Sequence, residues 1–292
     1  MSVDSLQDKI RKMKNPTVLQ FVVGQEQIPE HIMAEEGSFL SAYSRFCMEL
    51  LDLLRDFVPA VRFSFNGFAI LGSDGLGMLS KLLSYASKLG YYVILDAPEA
   101  LTAQQAQENA MVFMASQSQW PADGLVITNY IGTDAVRPYA ALLNDAKKAL
   151  FVVVRTGNKS AAELQDLLTG SRLAHVAQAD MVNRLAENHL GRSGYYGLGV
   201  VSAATSSDSM NILRNKYNRL FMLVDGFDNT GANAKNCSYA FDKLGHGAGI
   251  CVGTSITGAW RDEEYDSSDY LQSAYDAAQR IKKNLCRYTT IL

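Results

Sequence analysis

Residues 91–117 read YYVILDAPEALTAQQAQENAMVFMASQ: an apolar, β-prone run closed by Asp96, a short loop, then a Thr-led stretch of helical period. A near-continuously hydrophobic run of this length is what a parallel strand covered on both faces requires. Thr102 stands where a side-chain oxygen caps the first turn of the following helix. The unit is therefore strand, loop, helix, with a carboxylate delivered at the strand's C-terminal end.

The same unit recurs along the chain. Candidate strands are TVLQFVV (17–23), AVRFSF (60–65), YYVILD (91–96), GLVIT (124–128), LFVVV (150–154), YGLGVV (196–201), LFMLV (220–224) and GICVG (249–253). Candidate helices lie at 38–54, 74–89, 102–117, 133–148, 160–168, 207–217, 233–244 and 267–285. Eight strands alternating with eight helices predict an α/β fold, a (β/α)8 TIM barrel, with an added N-terminal helix near 3–13 and another near 172–188. A doubly wound open sheet is the competing arrangement. With no linker or charge run to divide them, residues 1–292 read as a single domain.

Composition narrows the function classes. The chain has 292 residues, 48% of them apolar, and a formal net charge of −3, so it carries no basic footprint for nucleic acid. Cys47, Cys237, Cys251 and Cys286 form no CxxC pair, and His31, His175, His189 and His246 lack metal-ligand spacing, so neither a metal nor a cofactor is expected. The histidines read as surface or capping residues, His31 in a loop. No stretch approaches the roughly 18 apolar residues of a membrane span, and the first 14 residues are charged and amphipathic. A cytoplasmic protein is the simplest expectation.

In such a barrel, function gathers at the C-terminal ends of the strands. Asp96 and Arg62, from adjacent strands, can form a charge pair there, either structural or functional. Gly253, Thr254 and Ser255 can offer N–H groups and hydroxyls to an anion, but Asp225 and Asp228 in the preceding loop oppose a phosphate. Asp96, Asp225 and Asp228 together are a weak candidate for a divalent cation. No Ser-His-Asp order, nucleophile elbow or Walker loop is present.

Several of these segments, in this order, resemble the orotidine 5′-phosphate decarboxylase family in its long bacterial subgroup. They are DKIRKMKNP (8–16), QIPEHI (27–32), GYYVILDA (90–97), YIGTDAVRPY (130–139), FVVVRTGNKSAAELQDL (151–167), GLGVVSAAT (197–205), LVDGFDNTGA (223–232) and GICVGTSITGAW (249–260). The resemblance implies a TIM barrel, cofactor-free loss of CO2 from orotidylate to give uridylate, and a homodimer whose site is completed by the partner. It also implies a Lys/Asp array built on Asp-x-Lys-x-x-Asp. Here the first acid matches Asp96, while Pro98 and Leu101 stand at the lysine and second acid. Arg62 stands at the earlier lysine, Val22 near the ribose-binding acid, Thr230 at the phosphate-loop glutamine and Thr254 at the clamping arginine. Proline has no proton to give, and an arginine is a poor donor because its pKa exceeds about 12. Lys81 and Lys88 fall on the preceding helix, and only Lys159 lies near the mouth. The chain therefore reads as a decarboxylase-like protein without decarboxylation and with a binding or regulatory role. The alternative is an active decarboxylase of atypical site. The remnant catalytic pair is Asp96 and Arg62; candidate ligand-binding residues are Thr128, Asn129, Arg155, Asn158, Thr230, Gly231, Gly253 and Thr254. Expected partners are a small anionic or nucleotide ligand and a second subunit, either another copy or a paralogous active decarboxylase.

Overall fold

The structure is a computed structural model that describes residues 2–228, 231–262 and 265–292. Eight parallel strands close into a barrel: β1 (Thr17–Gln20), β2 (Ala60–Ser64), β3 (Tyr92–Asp96), β4 (Gly124–Ile127), β5 (Ala149–Arg155), β8 (Leu198–Ala203), β9 (Met222–Asp225) and β10 (Ala248–Val252). Their order round the barrel is β1-β10-β9-β8-β5-β4-β3-β2. A two-residue hairpin, β6 (Leu168–Thr169) and β7 (Arg172–Leu173), lies outside it. The protein is a (β/α)8 TIM barrel, as the strand count predicts, and the open sheet is excluded by its closure.

Period-two alternation divides the core in two. Side chains at Val18, Ala60, Tyr92, Ile94, Val126, Phe151, Val201, Phe221 and Leu223 fill the barrel. The N-terminal helix Ser2–Met13 closes its lower end by adding Val3, Leu6 and Ile10 to the same cluster. Gly199 marks a close approach of two strands, since a Cβ there would stand 2.3 Å from the Phe221 carbonyl oxygen. The intervening residues, such as Val61, Phe63, Val93 and Leu95, face the helices. The helix Phe39–Leu54 shows the reciprocal pattern: Ser38 accepts from Ser41 N as its cap, and Ala42, Tyr43, Phe46, Cys47, Leu50, Leu51 and Leu54 form the buried stripe.

Four sequence expectations change, the first being that the helix expected over 233–244 spans only Ala234–Ser238. Residues 160–168 are not a helix but a 3₁₀ turn, Lys159–Glu163, running into the β6-β7 hairpin, and the fifth barrel helix is Ala174–Ala186. The segment 156–173 is thus an insertion at the mouth. It buries few side chains, so nothing there sustains a helical apolar stripe. His31 lies on the helix Glu30–Glu36 rather than in a loop, and His175 is fully buried rather than on the surface. No helix among the described residues is long and apolar enough to cross a membrane.

Candidate functional site

Arg62 is the centre of the barrel mouth. The register of β2 on β3 sets Ser64 beside Asp96, and the alternation that aims Ala60 inward aims Arg62 inward two residues later. Its Nε donates to Asp96 Oδ1 at 2.7 Å, and its Nη1 donates to Asp225 Oδ1 at 2.6 Å and to Cys251 Sγ at 3.3 Å. The guanidinium is buried, whereas the two carboxylate side chains keep 23% and 33% of their exposure, so the cation lies below and its acids face the opening.

The electrostatics follow from this layering. Burial alone lowers the Arg62 pKa, but Asp225 and Asp96 outweigh it and hold the guanidinium charged, well above its ordinary value. Burial raises the Asp96 pKa; Arg62 offsets part of that, and Asp225 adds to it. Burial likewise pushes the Cys251 thiol well above its usual range, with Asp225 adding to the effect, so it stays a neutral thiol. The Asp96–Arg62 pair expected from sequence forms. Asp225, across the barrel, is the partner that sequence reasoning placed at the mouth without pairing it.

A third carboxylate fills the anion corner. Asp228 Oδ2 accepts from Gly253 N at 2.5 Å and Asp228 Oδ1 accepts from Ser255 N at 2.9 Å. These are the amides that open the short helix Thr254–Thr257, where an external anion would otherwise dock. A Cβ on Gly253 would come within 3.0 Å of the Gln20 carbonyl oxygen, so the close approach of β1 and β10 here favours glycine.

Arg155 is also taken. At the end of β5, where the register against β8 slips between Val153 and Arg155, its guanidinium forks onto Asp166 (Nε to Oδ1 3.1 Å, Nη2 to Oδ2 2.9 Å) and donates to Thr205 Oγ1 at 3.0 Å. Asp166 and Thr205 had no assigned role in the sequence reading, and nothing in the spacing of a loop acid points to this pairing.

The remaining candidates scatter. Thr128 and the buried Asn129 follow β4; Asn129 Nδ2 is buried without a partner. Asn158 is exposed and accepts from Thr156 Oγ1 at 2.5 Å. Gly231 is exposed with φ +80°, a turn position that favours glycine, and Thr254 is half-buried. Thr230 lies outside the described residues. Pro98 is half-buried in the loop beyond Asp96, with its carbonyl bonded by Asn109 Nδ2 at 3.2 Å, and Leu101 is 76% exposed. Lys159 is exposed at the start of the insertion. Among the described residues, no three His, Cys, Asp or Glu side chains are grouped to hold a metal ion.

Comparison with known proteins sets this geometry among relatives. No protein-family model matches the chain. A curated orotidine 5′-phosphate decarboxylase of Rhodopirellula baltica is 28% identical over 273 residues, covering 89% of this chain and 90% of its own length. One from Caldicellulosiruptor bescii is 25% identical over 297 residues, covering 97% of both. Among solved structures, the Leishmania donovani OMP decarboxylase superposes with a TM-score of 0.74 at 20% identity, covering 97% of this chain and 98% of that one. The Plasmodium berghei orotidine 5′-monophosphate decarboxylase does so with a TM-score of 0.77 at 16% identity, covering 98% of each. At these identities the structural likeness speaks for the barrel fold.

Proposed function

We propose that this homologue of the orotidine 5′-phosphate decarboxylases, alike to them over nearly its whole length, does not decarboxylate orotidylate and serves as a binding or regulatory barrel. The observation that carries the reading is that both arginines and the anion-corner amides at the mouth are matched by the chain's own acids. Arg62 is held by Asp96 and Asp225, Arg155 by Asp166, and the amides of Gly253 and Ser255 by Asp228. A carboxylate-bearing nucleotide would have to displace these contacts, each a charge-assisted bond that is short and strong. Stabilising a developing carbanion and protonating it call for a mobile ammonium beside the reacting carbon. Pro98 and Leu101 supply neither an ammonium nor a second acid after Asp96.

The ligand, in this reading, is a small polar molecule held by Thr128, Asn129 and the rim of the mouth rather than by a free phosphate clamp. The protein acts in the cytoplasm as a homodimer, or as partner to an active paralogous decarboxylase, without cofactor or metal. Whole-length homology to decarboxylases favours a second reading, an active orotidine 5′-phosphate decarboxylase of pyrimidine biosynthesis with an atypical site. Purified protein given orotidylate separates the two: the first predicts no loss of substrate above a buffer control, the second turnover that depends on Asp96.

A further inference from the structure

The insertion 156–173 leaves the mouth end of β5 and returns as the fifth barrel helix, and its only buried residue is Ala161; Leu164, Leu167 and Leu168 are at least half exposed. So little apolar burial cannot hold 18 residues in place; a polar clasp does. Gln165 Oε1 accepts from Thr156 N at 2.8 Å, and Asp166 grips the Arg155 fork. The backbone carbonyls of Leu167 and Gln165 cap the helix Ala174–Ala186, accepting from Ala174 N at 2.8 Å and His175 N at 3.0 Å.

His175 sits inside this clasp with no exposed surface. Its Nδ1 lies 2.9 Å from the Gln165 carbonyl oxygen and 3.3 Å from Asp166 Oδ1. A carbonyl only accepts, so Nδ1 carries the proton of the neutral ring. Nε2 is then an acceptor, and it is buried without a partner. A second proton would create a buried N–H with nothing to receive it, in the first turn of a helix, where the dipole disfavours a cation. The charged groups facing the ring are Asp166 from the insertion, which favours protonation, and Arg155 from β5, which opposes it.

We propose that His175 is a proton-sensitive latch that holds the insertion 156–173 on the mouth, and that its protonation releases the insertion and frees Arg155 from Asp166. Neutral His175 donates to Gln165 and keeps the clasp shut; the imidazolium needs water at Nε2 and reaches it by opening the clasp. Burial, the largest influence, lowers the His175 pKa, in keeping with a closed state that excludes the proton. The latch is independent of whether the mouth catalyses.

Hydrogen–deuterium exchange of the full chain, expressed as protection factors at pH 7.5 and 5.5, tests it. With an ordinary exposed histidine at about 6.5, protection of 156–173 falls by up to about tenfold between these pH values while the barrel strands hold theirs. His175→Asn, whose amide can replace Nδ1–H but cannot take a second proton, removes the pH dependence. Asp166→Asn opens the insertion at both pH values. Equal wild-type protection at the two pH values, or the same fall in His175→Asn, overturns the latch. Should that variant not fold, the His175 ring titration followed by NMR replaces it: a midpoint coinciding with opening supports the proposal, and one that differs contradicts it.

Discussion

Asp228 bonds both Gly253 N, at 2.5 Å, and Ser255 N, at 2.9 Å, through different oxygens of one carboxylate. The chain thus places its own anion on the amides where a barrel of this kind offers a phosphate site. Removing the carboxylate in Asp228→Ala strips two backbone donors of their acceptor. A loss of about 1–2 kcal/mol in urea unfolding is expected, the size of a lost helix cap. No change in midpoint would mean that the two bonds contribute nothing net.

Arg62→Met leaves Asp96 and Asp225 facing each other over an apolar side chain. Breaking a buried pair from one side costs about 3–5 kcal/mol, and the low end is expected because both acids keep some contact with water. Asp96→Asn costs less, since Arg62 retains Asp225. Equal losses for the two variants would contradict the central place given to Arg62.

Asp4 ties the N-terminal helix to the barrel floor, accepting from Ser193 N at 2.8 Å and Ser193 Oγ at 2.6 Å. Burial raises its pKa, but the hydrogen bonds it accepts, those from Ser193 and the Arg192 amide among them, together prevail and lower it to about 2. The folded value lies below the unfolded one, so the unfolded chain binds the extra proton and stability falls as pH falls. The contribution, about 2 kcal/mol for a shift of this size, is whole above pH about 4 and is lost towards pH 2. Asp4→Asn flattens that part of the acid-denaturation curve relative to wild type.

Thermal-shift measurements probe the occupied donors. Inorganic phosphate and uridylate at millimolar concentration produce no stabilisation, whereas a ligand at 100 times its Kd would add about 2.7 kcal/mol. A clear shift with uridylate would show that an external phosphate still wins against Asp228.

Much of this was legible in the sequence. Short, uniformly apolar runs spaced by helical stretches specify a barrel because parallel strands are buried on both faces. The same alternation places Arg62, Asp96 and Asp225 at the mouth. The Arg62–Asp96 pair followed from adjacent strands. The reach of Arg62 to Asp225 did not, because a contact across the lumen depends on a long side chain rather than on register. The segment 160–168 imitated a helix through its Ala, Leu and Glu content, yet tertiary contacts of Gln165 and Asp166 with the β5 end decide its path. His175 looked like a surface residue because a loop that folds back over a helix N-terminus leaves no periodic trace.

The most direct measurement is the ultraviolet absorbance of orotidylate incubated with purified protein, beside a buffer control and the Asp96→Ala variant. Without decarboxylase activity, the same slow trace is expected in all three. Loss of absorbance clearly faster with wild type than with buffer, and abolished by Asp96→Ala, would contradict that expectation.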